Sequence, residues 1–396
     1  MFESCILQKL QIYLRTSERQ FGFKKSVGCR DAIYTVKSVI NYFTKNNSTM
    51  NICAIDLTKA FDKVNHSVLF QKLMNLDVPA NYINILKCWY SKINTAVKWG
   101  AEISGFVNLP AGVRQGGILS PFLFAIYVDD VLSRLAESGL GCFINCECFN
   151  SIMYADDLIL MSISLMHLQL LVNICKTEFD KIDMQINTAK TGCLRIGARH
   201  AVVCECITID GAPLKWLQEI KYLGIVLASA NRLTINFQSM KQKFFRALNG
   251  IFGKVGLKTS PAVLCSLLNS FCTPILLYAC ESLDWNNKSI KSMENAYSQA
   301  FFKMFNTYDK HIIKQCQFYM GCLPICCLID LRKLKFLYNL QAPDNANVSL
   351  SAMHHLAKWT DSDLDTLRLK YYIAGNAKPF SYKKSVFQYF KASLEI

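Results

Sequence analysis

The spacing of apolar residues changes along the chain, and each change predicts an element. At 29–43, Ala32, Ile33, Val36, Val39 and Ile40 recur at helical spacing and predict an amphipathic helix. The apolar run 50–57, which ends at Asp56, reads as a buried strand. Ser67 is placed to cap a helix over 68–76, and a second helix, 81–90, follows Pro79. Residues 93–107 alternate and are punctuated by glycine, which predicts a hairpin. A glycine loop at 112–117 precedes a helix that starts near Pro121 and runs to about residue 135. Strand, turn and strand follow around Tyr154-Ala155-Asp156-Asp157, then a helix over 168–182 and strands at 192–196 and 222–226. From about residue 237 the pattern is helical throughout. A mixed α/β region, roughly 50–230, is therefore followed by an all-helical one.

Two adjacent carboxylates, Asp156 and Asp157, interrupt an otherwise apolar strand–turn–strand. Unpaired carboxylates in such a setting are costly, and a cation bound to both removes the cost. Mg²⁺ suits hard oxygen ligands and bridges to phosphates. Asp56, at the end of another strand, supplies the third acid that a two-metal phosphoryl-transfer site draws from a sheet. Tyr127-Val128-Asp129-Asp130 spells a similar tetrapeptide, but Phe124, Tyr127, Val128, Val131 and Leu135 have helical spacing. Its acids are expected to face solvent or cap the helix end.

Composition sharpens this. The 396 residues suffice for two or three packed subdomains, and 52% hydrophobic content excludes a disordered chain. The net charge of +15 points to a polyanionic partner. Most of it lies late: residues 1–230 carry a net +4 and residues 231–396 a net +11. Arg232, Lys241, Lys243, Arg246, Lys254 and Lys258 occur with no acid among them, beside an apolar stripe of Phe237, Phe244, Phe245, Leu248 and Phe252. This predicts a helix that follows a phosphate backbone without reading sequence. No apolar stretch is expected to span a bilayer. Eighteen cysteines in a long chain without a signal peptide predict free intracellular thiols. Cys142/Cys146/Cys148, His200/Cys204/Cys206 and Cys316/Cys322/Cys326/Cys327 lack paired C-x2-C knuckles and read as buried thiols rather than zinc ligands.

These motifs carry a family resemblance. Ala54-Ile55-Asp56-Leu57-Thr58-Lys59-Ala60-Phe61-Asp62-Lys63-Val64 resembles motif A of the reverse transcriptases of non-LTR retrotransposons. Gly112-Val113-Arg114-Gln115-Gly116-Gly117 resembles motif B, Tyr154 to Asp157 motif C, and Thr188-Ala189-Lys190-Thr191 motif D. Tyr222-Leu223-Gly224 is similar to the primer grip, and the stretch from Gln20 to Ile33 to a fingers motif. The order is the family's, over roughly residues 20–285.

The resemblance implies an α/β (α+β) right-hand polymerase, its palm an antiparallel sheet packed on helices and followed by a helical thumb and C-terminal region. Residues 1–49 would be partial fingers, 50–230 the palm with a fingers insertion at about 67–107, 231–340 the thumb and helical connection and 341–396 a C-terminal extension of unknown role. It implies that Asp56, Asp156, Asp157 and the Leu57 carbonyl hold two Mg²⁺ ions, with Mn²⁺ as an alternative, and that Lys190 donates a proton. Phe61 would be a steric gate against ribonucleotides. Gln115 and Gly116 would meet the incoming nucleotide, and Tyr222, Leu223 and Gly224 the primer. Lys24, Lys25, Arg114, Lys241, Lys243 and Arg246 would contact nucleic acid. The implied partners are an RNA template, a DNA primer and dNTPs.

The chain begins on an apolar helical pattern, without the basic fingers segment that carries a triphosphate-gripping Arg in the family. The expectation is an N-terminally truncated enzyme, with a partner to supply missing fingers or an endonuclease. The alternatives are an inactive nucleic-acid-binding retrotransposon relic and, more remotely, a maturase or telomerase-like relative.

Overall fold

The computed structural model describes residues 1–256, 259–341 and 361–394, excluding the side chains of 361 and 362. Lys258 and much of the expected C-terminal extension lie outside the described residues. The chain splits into two compact units, Met1–Ala32 with Val39–Thr234, and Ile33–Ser38 with Ile235–Ile396.

The first unit opens with α1 (Phe2–Leu10) and the ends of α2 (Cys29–Lys45), followed by β1 (Thr49–Ile55). Next come α3 (His66–Asn75), α4 (Ala80–Tyr90) and α5 (Ser120–Glu137). Between α4 and α5, Asn94–Thr95 (β2) pairs with Val107–Asn108 (β5), and Lys98–Trp99 (β3) with Glu102–Ile103 (β4). Phe143–Ile144 (β6) and Glu147–Cys148 (β7) form a small ladder before β8 (Ser151–Tyr154) and β9 (Asp157–Ser162). Then follow α6 (Leu165–Lys181), β10 (Gly192–Gly197), β11 (Thr208–Ile209), β12 (Ala212–Pro213), β13 (Lys215–Trp216), β14 (Glu219–Tyr222) and β15 (Ile225–Ala228).

The main sheet has the order β13-β10-β1-β9-β8. All its pairings are antiparallel except the short β10–β13 edge, so the expected antiparallel palm sheet carries one parallel strand. β1 is central and almost wholly buried, which explains its unbroken apolar run. Ile55, Met153, Leu158 and Leu160 share a core with Tyr127 and Val131 of α5 and Leu171, Val172 and Phe179 of α6.

Two local expectations are corrected. Ser67 does not cap α3; Asn65 Oδ1 does, accepting from the Ser67 and Val68 amides at 2.9 and 3.4 Å. Residues 222–226 are not one strand. Leu223 and Gly224 take positive φ, 42° and 85°, and close a hairpin between β14 and β15.

The second unit is helical: α7 (Gln238–Val255), α8 (Pro261–Leu267), α9 (Thr273–Leu276), α10 (Asn287–Phe305), α11 (Lys310–Tyr319) and α12 (Ile325–Gln341), then Asp361–Lys370 and Pro379–Ala392. Its core joins Phe244 and Leu248 of α7 to Met293, Tyr297 and Phe301 of α10 and Ile325 and Ile329 of α12. The expectation about membrane-length stretches is also corrected. Pro261–Ser282 is long and apolar enough to cross a membrane by length and composition, with mean hydropathy 1.7. Half of its most apolar window is buried in the protein, and a π-helical turn at Leu268–Cys272 interrupts it. The core helix of a soluble protein meets the same criterion.

Lys37, in the segment of α2 that belongs to this unit, has a side chain only 7% exposed and places Nζ 3.1 Å from Asp284 Oδ1. Burial pulls the Lys37 pKa down, and Asp284 pulls it back up. Asp284→Ala is expected to cost about 1–2 kcal/mol, allowing for the exposure of Asp284. With its folded pKa below that of the unfolded chain, Lys37 makes the native state bind fewer protons in the window between the two values. Stability of the variant therefore rises with pH across that window, towards the ordinary lysine value. Urea unfolding from neutral to alkaline pH checks this; an unchanged slope relative to wild type rules it out.

Candidate active site

Asp56 leaves the sheet at the end of β1. Beside it, β8 and β9 are joined by a tight turn, with Tyr154 opposite Asp157 and Ala155 and Asp156 at its centre. Ile55 is in register with Leu158, so Asp56 and Asp157 occupy the same end of neighbouring strands. Asp157 feels the other two carboxylates. Partial burial, then the charges of Asp156 and Asp56, push the Asp157 carboxyl above its ordinary value, and Lys221 pulls it down.

The segment 185–191 is zipped along both sides of Asp56. The Asn187 amide donates to the Asp56 carbonyl at 2.8 Å, and the Asp56 amide donates to Thr191 Oγ1 at 3.2 Å. Thr58 N–H donates to Gln185 O at 2.9 Å, and buried Leu57 bridges to Ile186. These bonds bring Lys190 Nζ to 3.9 Å from Asp56 Oδ2.

The turn at Ala155 is held from behind by Gln20, which is fully buried. Gln20 Oε1 accepts from the Gly22 and Ala155 amides at 2.9 and 3.0 Å, and its Nε2 donates to the Ala155 carbonyl at 3.4 Å. The Phe21 amide donates to Met153 O, and the Met153 amide to Arg19 O. The chain passes so close that a Cβ on Gly22 would lie 2.6 Å from the Ala155 nitrogen. Only glycine fits there. Ala155 itself takes φ 58°, and the Gln20 bonds offset the strain of that conformation.

Phe61 stacks on Phe124 with centroids 4.4 Å apart. The amides of Gly112 and Val113 donate to the carbonyls of Val64 and Phe61, each at 2.8 Å. This brings Gln115 Nε2 to 2.8 Å from Asp62 Oδ1. Gly116 adjoins Gln115 in an open part of the loop. Arg114 is exposed, 3.9 Å from Glu3, whose other oxygen accepts from the Leu119 amide. The β14–β15 hairpin approaches the same carboxylates. Burial, then Asp157, push the Tyr222 phenol well up.

The other expected residues are placed differently. Lys24 is turned inward, its ammonium donating to the carbonyls of Ser17 and Thr16 at 2.6 and 3.4 Å. Lys25 is exposed. Lys241, Lys243 and Arg246 belong to the second unit, on α7. Lys241 donates to Ser292 Oγ at 3.0 Å, while Lys243 and Arg246 are exposed. The tetrapeptide at 127–130 is helical, as its spacing implies. Its acids do not simply face solvent: Asp129 accepts from the Ser17 amide at 2.7 Å and Asp130 pairs with Lys72 at 2.8 Å. All eighteen cysteines are free thiols, but the three clusters are not uniformly buried: Cys142, Cys322 and Cys327 are buried, whereas Cys146 and Cys206 are exposed.

Sequence reasoning assigned no role to Gln20, Asp62 or Lys221. For Lys221 a signal existed: β14 alternates exposed Glu219 and Lys221 with buried Ile220 and Tyr222. For Gln20 none did, because its role depends on burial against a turn over a hundred residues away.

Among the described residues no three Asp, Glu, His or Cys side chains form a ready-made metal cage. Mg²⁺ does not require one; it is commonly held by one or two carboxylates, water and substrate phosphates. The donor set of Asp56, Asp156 and Asp157, gathered at one sheet end, suits such an ion.

A carboxylate turn beside a strand-end Asp, with a glycine loop ahead of it and a lysine loop behind, is the arrangement of a palm in a polymerase fold. Residues 2–227 match the family model described as reverse transcriptase (RNA-dependent DNA polymerase), and the chain belongs to that family. Among curated relatives, it is 28% identical over 242 residues to the Pol polyprotein of the type-2 retrotransposable element R2DM of Drosophila melanogaster, covering 58% of this chain and 22% of that protein. It is 26% identical over 255 residues to the RNA-directed DNA polymerase from mobile element jockey of Drosophila funebris, covering 62% and 27%. The chain thus spans about a quarter of these relatives' length, and its relatives are of the non-LTR, LINE type. Among solved structures it resembles apo telomerase from Candida tropicalis, with TM-score 0.45 and 15% identity over 98% of this chain and 61% of that one.

Proposed function

We propose that this chain carries an RNA-directed DNA polymerase centre, which adds dNTPs to the 3′-hydroxyl of a primer on an RNA template. The observation that carries the reading is the convergence of Asp56 with the Asp156–Asp157 turn. Asp56, the Leu57 carbonyl, Asp156 and Asp157 would hold two Mg²⁺ ions, or Mn²⁺, which when bound supply Lewis acidity at the primer hydroxyl and the triphosphate. Lys190, beside Asp56, holds a proton that the leaving pyrophosphate can take. Gln115 and Gly116 lie along the base pair being formed, Gln115 being oriented by Asp62. Tyr222, Leu223 and Gly224 support the primer end. Residues 1–49 and 67–107 act as fingers, 50–230 as palm and 231–340 as thumb. Lys25, Arg114, Lys243 and Arg246 are exposed and would contact nucleic acid.

Primer extension on an RNA template with dNTPs and Mg²⁺ tests the reading. Templated extension supports it; duplex binding without extension favours an inactive relic. Phe61, braced on Phe124, is rigid enough to exclude a ribose 2′-hydroxyl. Phe61→Ala is expected to lower the kcat/KM preference for dNTPs over NTPs by about 10–100-fold. An unchanged ratio removes Phe61 as the gate.

A further inference from the structure

A cavity of about 330 Å³ in the second unit has a lining unlike that of the apolar core next to it. Lys291 and Glu294 of α10, Lys310, Lys314 and Gln317 of α11, and the start of α12 border it. The three lysines are exposed at the rim, and none forms an ion pair among the described residues. With Glu294 as the one acid, the lining carries a net +2. Gln317 is only 3% exposed, yet its side-chain amide has no hydrogen-bond partner among the described residues. Its amide atoms are not sealed from solvent, so their unused hydrogen-bonding capacity is open to the cavity that Gln317 lines.

We propose that this pocket binds a phosphate group. Three ammonium groups and an unpaired amide N–H₂ around one cavity form a donor set with positive charge, and a phosphate presents three or more acceptor oxygens and up to two negative charges. A carboxylate would leave donors unsatisfied. Lysines serve as point-charge phosphate ligands that tolerate several approach directions. The helix end is not the source of attraction: Asp309 already caps the His311 and Ile312 amides. The site does not depend on the polymerase centre, which lies in the other unit. Its phosphate can come from a free anion or from a nucleic-acid backbone.

Calorimetric titration of the full chain with inorganic phosphate, and separately with a ten-nucleotide oligodeoxythymidylate, tests the proposal. The Lys310→Ala/Lys314→Ala double variant is expected to weaken binding at least tenfold. Gln317→Glu, close in volume but with an added anion, is expected to abolish phosphate binding and to weaken oligonucleotide binding, while Lys98→Ala in the other unit leaves phosphate binding unchanged. Weakened phosphate binding identifies a free phosphate as sufficient; weakening for the oligonucleotide alone identifies a backbone phosphate. If both variants keep wild-type melting temperatures and wild-type affinity for both probes, or if the wild type binds neither, the proposal fails.

Discussion

Asp156→Asn is expected to lower primer extension on an RNA template by about 10³-fold or more, because a bound cation contributes several kcal/mol of charge stabilisation and each 1.4 kcal/mol is tenfold in rate. The substitution keeps the size of the side chain and removes its charge. The turn itself should survive, since the Gln20 bonds go to the backbone of Ala155 and not to the Asp156 side chain. The expected signature is therefore lost rate at an unchanged melting temperature, with duplex binding retained. Extension at the wild-type rate in the variant would move the chemistry away from this turn.

Gln20→Met is expected to cost about 2–6 kcal/mol, because two buried N–H groups lose their acceptor at roughly 1–3 kcal/mol each. Methionine fills a similar volume but cannot accept from Gly22 and Ala155 together. The Ala155 turn, already at positive φ, then lacks its brace, and Asp156 and Asp157 lose their fixed position. Denaturant unfolding gives the energy, and hydrogen exchange at the Gly22 and Ala155 amides shows where it is lost. Primer extension is expected to fall by more than the unfolded fraction accounts for. Normal exchange at both amides together with wild-type stability would show that Gln20 does not hold the turn.

Much of the first unit was legible in the chain. The apolar run of β1, the interrupted run of β8 and β9, and the helical spacing across 127–130 each report a local period that burial enforces. The α3 cap was misassigned to Ser67 because Asn65 and Ser67 both carry capping chemistry, and only the backbone shows which oxygen meets the first amides. The hairpin at Leu223-Gly224 was hidden because Leu223 is an unusual residue for positive φ, held there by strand pairing on either side. Lys24, expected to contact nucleic acid, turns inward to two carbonyls.

By itself the sequence determined the family, the order of the motifs and the candidate acids, because those depend on residue type and spacing. The tertiary structure alone decided which groups meet. Asp56 reaches Asp157 through strand register, Lys190 reaches Asp56 through the bonds of Asn187 and Thr191, and Gln20 reaches Ala155 through burial. Such contacts join residues about a hundred or more positions apart, and local periodicity carries no information on distances through space.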